Sequence, residues 1–220
     1  MNLNEVIFKN KIVGEITCGY VIGEIKSNSH TTIQDLKIFN LMFELSIAGD
    51  IDAIFQLASC YEFGACFSDV NIENKSTIIL KELSTAIALY KYAANEGSTD
   101  ACHHLGEMYE HGIGVDRDRV RAKEYFKQAA NLDSAKSLFY LGVILNSEEQ
   151  IIEAYDCFLK AADLDHVDSM FLVSEALFLG NTVWEKNIPM ALYYLKSYIN
   201  FNPNDLEANN LLKKIIDEIN

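Results

Sequence analysis

The stretch Ala101-Cys102-His103-His104-Leu105-Gly106-Glu107-Met108-Tyr109-Glu110-His111-Gly112-Ile113-Gly114-Val115-Asp116, continued by Arg121-Ala122-Lys123-Glu124-Tyr125-Phe126-Lys127-Gln128-Ala129-Ala130, decides the fold. In both parts small and apolar residues recur three, four and seven positions apart, the period of a helix with one buried face. The small residues let two helix backbones approach closely, and Leu and Tyr fill the space beside them. The glycines between the parts break the pattern. The stretch therefore reads as a helix A, a loop and a helix B.

The pattern repeats along the chain. Helix A returns as Ala53/Leu57/Ala58/Tyr61/Gly64, as Ser137/Leu141/Gly142/Leu145 and as Ser169/Val173/Ser174/Leu177/Gly180. Helix B returns as Ile38/Leu41/Leu45, Ala86/Leu89/Ala93-Ala94, Ala154/Cys157/Ala161-Ala162 and Ala191/Tyr194/Tyr198. From each B anchor to the next A anchor the distance is always 15 residues: 38 to 53, 86 to 101, 122 to 137 and 154 to 169. From A to B it varies. A constant join means that successive repeats stack in one geometry, and a variable join means a surface loop that tolerates insertion.

Residues 101–130 resemble a Sel1-like repeat, carrying the glycine-valine loop Gly112-Ile113-Gly114-Val115-Asp116 and then Arg121-Ala122 with Tyr125. The likeness extends over roughly residues 35 to 200, and the third repeat replaces the glycine loop with Asn146-Ser147-Glu148-Glu149. The related tetratricopeptide repeat is the alternative label, closest at Asn202-Pro203-Asn204-Asp205-Leu206-Glu207-Ala208. The resemblance implies an all-α, right-handed α/α superhelical solenoid of about four repeats. Residues 31–220 form the solenoid, with a half-polar capping helix at 204–219. Residues 1–30 are assigned a small N-terminal β element, from the β-branched apolar runs of 5–26 broken by Gly14, Gly19 and Gly23. It serves either as a cap on the open end of the array or as a partner-binding edge. The long first A-to-B join holds 65–75, and Ser76 is read as an N-cap with Ile78, Ile79, Glu82 and Leu83 lengthening helix B.

Composition narrows the function. The five cysteines are odd in number and contain no C-x-x-C, so free thiols in the cytoplasm are expected. No basic leader precedes an apolar run, and no apolar stretch is long enough to span a membrane. The net charge is −14, which repels nucleic acid and anionic lipid and attracts a basic protein. His103, His104 and His111 with Glu107 and Glu110 tempt a metal assignment, yet no H-E-x-x-H or second ligand pair accompanies them. Gly112-Ile113-Gly114 lacks the strand and third glycine of a nucleotide loop. No enzyme, metal or cofactor is expected.

The solenoid places its A helices on the concave side. Counting the small anchor as zero, positions plus four and plus eight face the core, while minus one, plus two, plus six and plus nine face away. These columns give an aromatic stripe flanked by carboxylates, with candidate partner-binding residues Phe55, Glu62, His103, Glu107, Glu110, Phe139, Phe171 and Glu175. An aromatic at plus two can instead pack on its neighbour. The Sel1-like resemblance admits two uses for such a surface. One is an immunity protein that neutralises a basic toxin or effector domain. The other is a scaffold or signalling adaptor that binds several proteins or peptides.

Overall fold

The computed structural model describes residues 33–68, 76–79 and 81–219. The expected β element at 5–26 lies outside them. Two compact units divide at Arg119/Val120. In the first, strand β1 (Ile33–Asp35) leads into α1 (Leu36–Ile47) and α2 (Ile51–Phe63). Strands β2 (Ala65–Ser68) and β3 (Ser76–Ile79) follow, then α3 (Leu83–Asn95) and α4 (Thr99–His111). The sheet order is β1-β2-β3, with β1 parallel and β3 antiparallel to β2. Helix α5 (Arg119–Ala130) leads into the second unit, which continues with α6 (Ala135–Ser147), α7 (Ile151–Asp163), α8 (Val167–Leu179), α9 (Ile188–Phe201) and α10 (Leu206–Ile219). Neighbouring helices pack pairwise in each unit.

The lengthened helix B of the first repeat is corrected. Residues 76–79 form a strand, and α3 begins only at Leu83. Ser76-Thr77-Ile78-Ile79 is rich in β-branched residues, and pairing with 65–68 gives its backbone the hydrogen bonds a helix would otherwise supply.

The constant 15-residue join has one physical form. The backbone N–H three residues before each A anchor donates to the carbonyl seven residues after the B anchor: Asp50 to Leu45, Ser98 to Ala93, Ser134 to Ala129 and His166 to Ala161. This is the wrap-around bond of a Schellman turn. A left-handed residue precedes each donor, namely Gly49, Gly97, Asp133 and Asp165. The same four residues then cap the next helix. The anchor N–H groups of Ala53, Ala101, Ser137 and Ser169 donate to the side chains of Asp50, Ser98, Ser134 and His166 at 2.8, 3.2, 3.3 and 3.3 Å.

The variable joins also share an end point. The N–H four residues before each B anchor (Glu82, Asp118, Gln150, Asn187) donates to the carbonyl at plus eight of helix A (Tyr61, Tyr109, Leu145, Leu177). The loop between can change length because both ends are tied in the same place. The core follows the anchor pattern: Ala53, Leu57, Ala101, Leu105, Ala122, Leu141, Ala154, Val173 and Ala191 are all buried. Helix α10 buries Ala208, Leu211 and Ile215 and exposes Ile216 and Ile219. Its first turn is capped by Asp205, which accepts from the Ala208 N–H at 2.9 Å.

Candidate functional site

In the first unit the nominated residues form a layered cluster across three helices. Phe55 of α2 lies 5.4 Å from the Tyr90 ring of α3 and 5.5 Å from the His104 ring of α4, stacked on the latter at 27°. Tyr90 and His104 are 5.2 Å apart, so the three rings close a triangle. The Tyr90 hydroxyl donates to Glu62 Oε2 at 2.7 Å and lies 2.9 Å from Ser59 Oγ. Burial chiefly pushes the Tyr90 phenol far above its ordinary value.

Glu62 is therefore corrected as an outward-facing residue. It is 6% exposed, turned inward to the Tyr90 hydroxyl. Phe55 is half-buried and committed to Tyr90 and His104. Glu107 lies 3.6 Å from His103 Nε2 and 3.4 Å from His104 Nδ1. The two histidines hold its carboxyl well below the usual carboxylate range. Glu110 is pinned by the loop that follows it. Arg117 reaches its carboxylate at 3.1 Å and its carbonyl at 2.8 Å, and Arg119 lies 3.6 Å away. Glu110 thus clamps the glycine loop rather than standing free. The carboxylates that do face solvent on the A helices here are Asp52 and Asp100, at minus one. They line a cleft of about 610 Å³ together with Gly49, Asp50, Gly97 and Ser98.

In the second unit Phe139 stacks on His166 at 4.7 Å and contacts Phe158 at 5.8 Å, so it packs between neighbours. Phe171 meets Tyr198 at 5.1 Å. Its open side, with Glu175, lines a cleft of about 340 Å³ closed by Leu206, Glu207, Asn210, Leu211 and Lys214 of α10. Leu206 is 74% exposed at its rim. Phe171 and Glu175 are the nominated pair that the fold brings to an open cavity. Leu206 and Glu207 were missed, although their place at the start of the capping helix was legible. Among the described residues no group of three or more His, Cys, Asp or Glu is arranged to hold a metal ion. Among the same residues no helix is long and apolar enough to cross a membrane.

Two-helix repeats joined by one fixed turn and one elastic loop define the α/α repeat solenoids. A model of the Sel1 repeat matches residues 51–74, 78–98, 99–134, 135–166 and 167–197. These segments cover more than half of the sequence, and the chain belongs to the Sel1 repeat family. An uncharacterized Sel1-like repeat-containing protein of Schizosaccharomyces pombe is 28% identical over 120 residues, covering 53% of this chain and 18% of that protein. An ERAD-associated E3 ubiquitin-protein ligase component of Candida glabrata, HRD3, is 31% identical over 88 residues, covering 40% of this chain and 10% of that protein. The chain thus spans less than a fifth of the length of these relatives. The crystal structure of a Sel1 repeat protein from Oxalobacter formigenes matches with a TM-score of 0.63 at 18% identity, over 78% of this chain and 66% of that one. That likeness shows the fold.

Proposed function

We propose that the chain binds a basic protein through residues of its A helices and of the capping helix α10 and acts as a dedicated inhibitor of it, as an immunity protein does for a toxin. The observation that carries this reading is the cleft of the second unit. Phe171, Leu206 and Leu211 supply an apolar lining, and Glu175 and Glu207 stand beside it with a single cation, Lys214. An aromatic anchor in a pocket with acidic neighbours suits a basic partner that presents an apolar side chain next to Lys or Arg. Asp52 and Asp100 add exposed negative charge on the first unit, and the net charge of −14 favours fast encounter with a cation.

The test is a pulldown from the native organism at low and physiological salt, followed by mass spectrometry and titration of the purified partner. One basic, stoichiometric partner is expected. Its affinity should weaken with salt and fall by about tenfold or more in Phe171→Ala/Glu175→Lys. Several partners indifferent to that variant would support an adaptor instead. The similarity to HRD3, a component of a multi-part ligase by its name, favours that second reading.

A further inference from the structure

We propose that His104 is a proton-operated clamp in the first unit: as an imidazolium it binds Glu107 on its own helix while its ring holds Phe55 of α2 and Tyr90 of α3. Loss of the proton leaves Glu107 without that counter-charge and loosens the three-ring contact. The geometry is the basis. His104 Nδ1 lies 3.4 Å from Glu107 Oε2, and its ring centroid lies 5.5 Å from Phe55 and 5.2 Å from Tyr90. One charged edge and two ring contacts therefore depend on a single side chain. A cationic ring also gains more than a neutral one from aromatic neighbours.

The groups that act on His104 all favour the charged form except burial. Glu107 contributes most, opposed by burial, and then Glu62 of α2 and Asp100 at the start of α4 add to it. Tyr90 is the titratable neighbour from α3, and its phenol stays protonated because burial raises it. His103 competes for the same carboxylate, its Nε2 lying 3.6 Å from the other oxygen of Glu107. The His104 proton is thus held more tightly in the folded chain than in the unfolded one. The clamp's contribution is complete below the ordinary value of 6.5 and is lost as pH rises through the higher folded value. Glu107 sets the opposite limit: its contribution is present above 4.5 and is lost as pH falls through the lowered folded value.

The experiment is NMR of the histidine and aromatic ring signals of the full chain from about pH 5 to about pH 9, the range in which histidine switches, with melting temperature measured in parallel. His104 should titrate above 6.5, and the Phe55 and Tyr90 ring signals should follow the same midpoint. Glu107→Gln should return the midpoint toward 6.5. The melting temperature should step down across that midpoint in the native chain and in His103→Gln, and the step should vanish in His104→Gln. A His104 midpoint at or below 6.5, or one unmoved by Glu107→Gln, overturns the proposal. So does a step that survives in His104→Gln or disappears in His103→Gln. The His104 midpoint and the matching Phe55 and Tyr90 ring shifts are read in the native chain, so rings that do not follow His104 overturn the proposal even where a variant does not fold.

Discussion

The Tyr90 hydroxyl of α3 reaches across to Glu62 of α2 and donates to its carboxylate at 2.7 Å, with Ser59 Oγ 2.9 Å from the hydroxyl oxygen. Both partners are almost fully buried. Removing the hydroxyl strips a buried carboxylate of its donor, and the cost of such an orphan exceeds the net worth of the bond. Tyr90→Phe should therefore lower stability by about 1–3 kcal/mol. Tyr90→Phe/Glu62→Leu should recover part of that loss, because an apolar pair leaves no buried carboxylate unsatisfied. Urea unfolding of the three proteins decides it, and a double variant less stable than the single one refutes it.

Gly142 shows why helix A carries a small residue after its apolar anchor. A Cβ there would lie 2.6 and 2.8 Å from two ring carbons of Phe158 and 3.1 Å from the Ala154 carbonyl. Phe158 is itself wedged against Phe139 and Tyr155, at 5.8 and 6.0 Å, and has little room to retreat. In a free helix Gly→Ala gains about 1 kcal/mol. Here the overlap, at about 1–3 kcal/mol, should outweigh that gain. Gly142→Ala is expected to melt lower than the native chain, and Gly142→Ala/Phe158→Leu to melt above Gly142→Ala. A Gly142→Ala chain more stable than the native one would show that α6 and α7 can separate freely.

The repeat was legible because packing between helices repeats a residue pattern, and the constant spacing of 15 encodes a turn that also repeats. The cap residues Asp50, Ser98 and Ser134 were readable as N-caps by type, while His166 in the same role was not, since histidine rarely serves there. Strand β3 escaped notice because Ser76-Thr77-Ile78-Ile79 fits the start of a helix as well as a strand, and the choice depends on pairing with Ala65–Ser68, which no local pattern reveals. The site was harder to read. Facing rules placed Asp52 and Asp100 in solvent correctly, but Glu62 turned inward to a tyrosine on another helix. Glu110 was taken by Arg117, seven residues on in a loop whose path no period describes.

The two kinds of join should respond oppositely to insertion. Two glycines added after Asp116 lengthen a loop whose ends remain tied by the Asp118 N–H to the Tyr109 carbonyl. Lengthening a loop this slightly costs well under about 1 kcal/mol. The same two glycines between Gly97 and Ser98 separate Ser98 from the Ala93 carbonyl and break the wrap-around bond, while the Ser98 cap on Ala101 travels with its helix. Loss of that bond alone costs about 0.5–1.5 kcal/mol, and the misdirected helix adds to it. Circular dichroism melts should show the first insertion near the native midpoint and the second far below. Equal losses would mean that the Schellman turn does not set the stacking.

Cys60 offers a chemical check on the packing of α2. Burial pushes its thiol from 9.0 up to about 11. At pH 8 this lowers the thiolate fraction about 100-fold relative to an unburied thiol of ordinary value. A more basic thiolate is also a better nucleophile, by a Brønsted slope of about 0.4–0.5, which restores about tenfold of that loss. Cys60 should accordingly react with N-ethylmaleimide about tenfold slower than a cysteine in a short peptide, and slower still where access is limited. Timed labelling at pH 8 with mass spectrometry of the digested peptides reports Cys60 separately from the other cysteines. Labelling should quicken in Tyr90→Phe, because loosening α2 against α3 exposes the thiol to water. A Cys60 that reacts as fast as the peptide in the native chain would mean that α2 is not held in the packing described, and the Tyr90–Glu62 tie would fall with it.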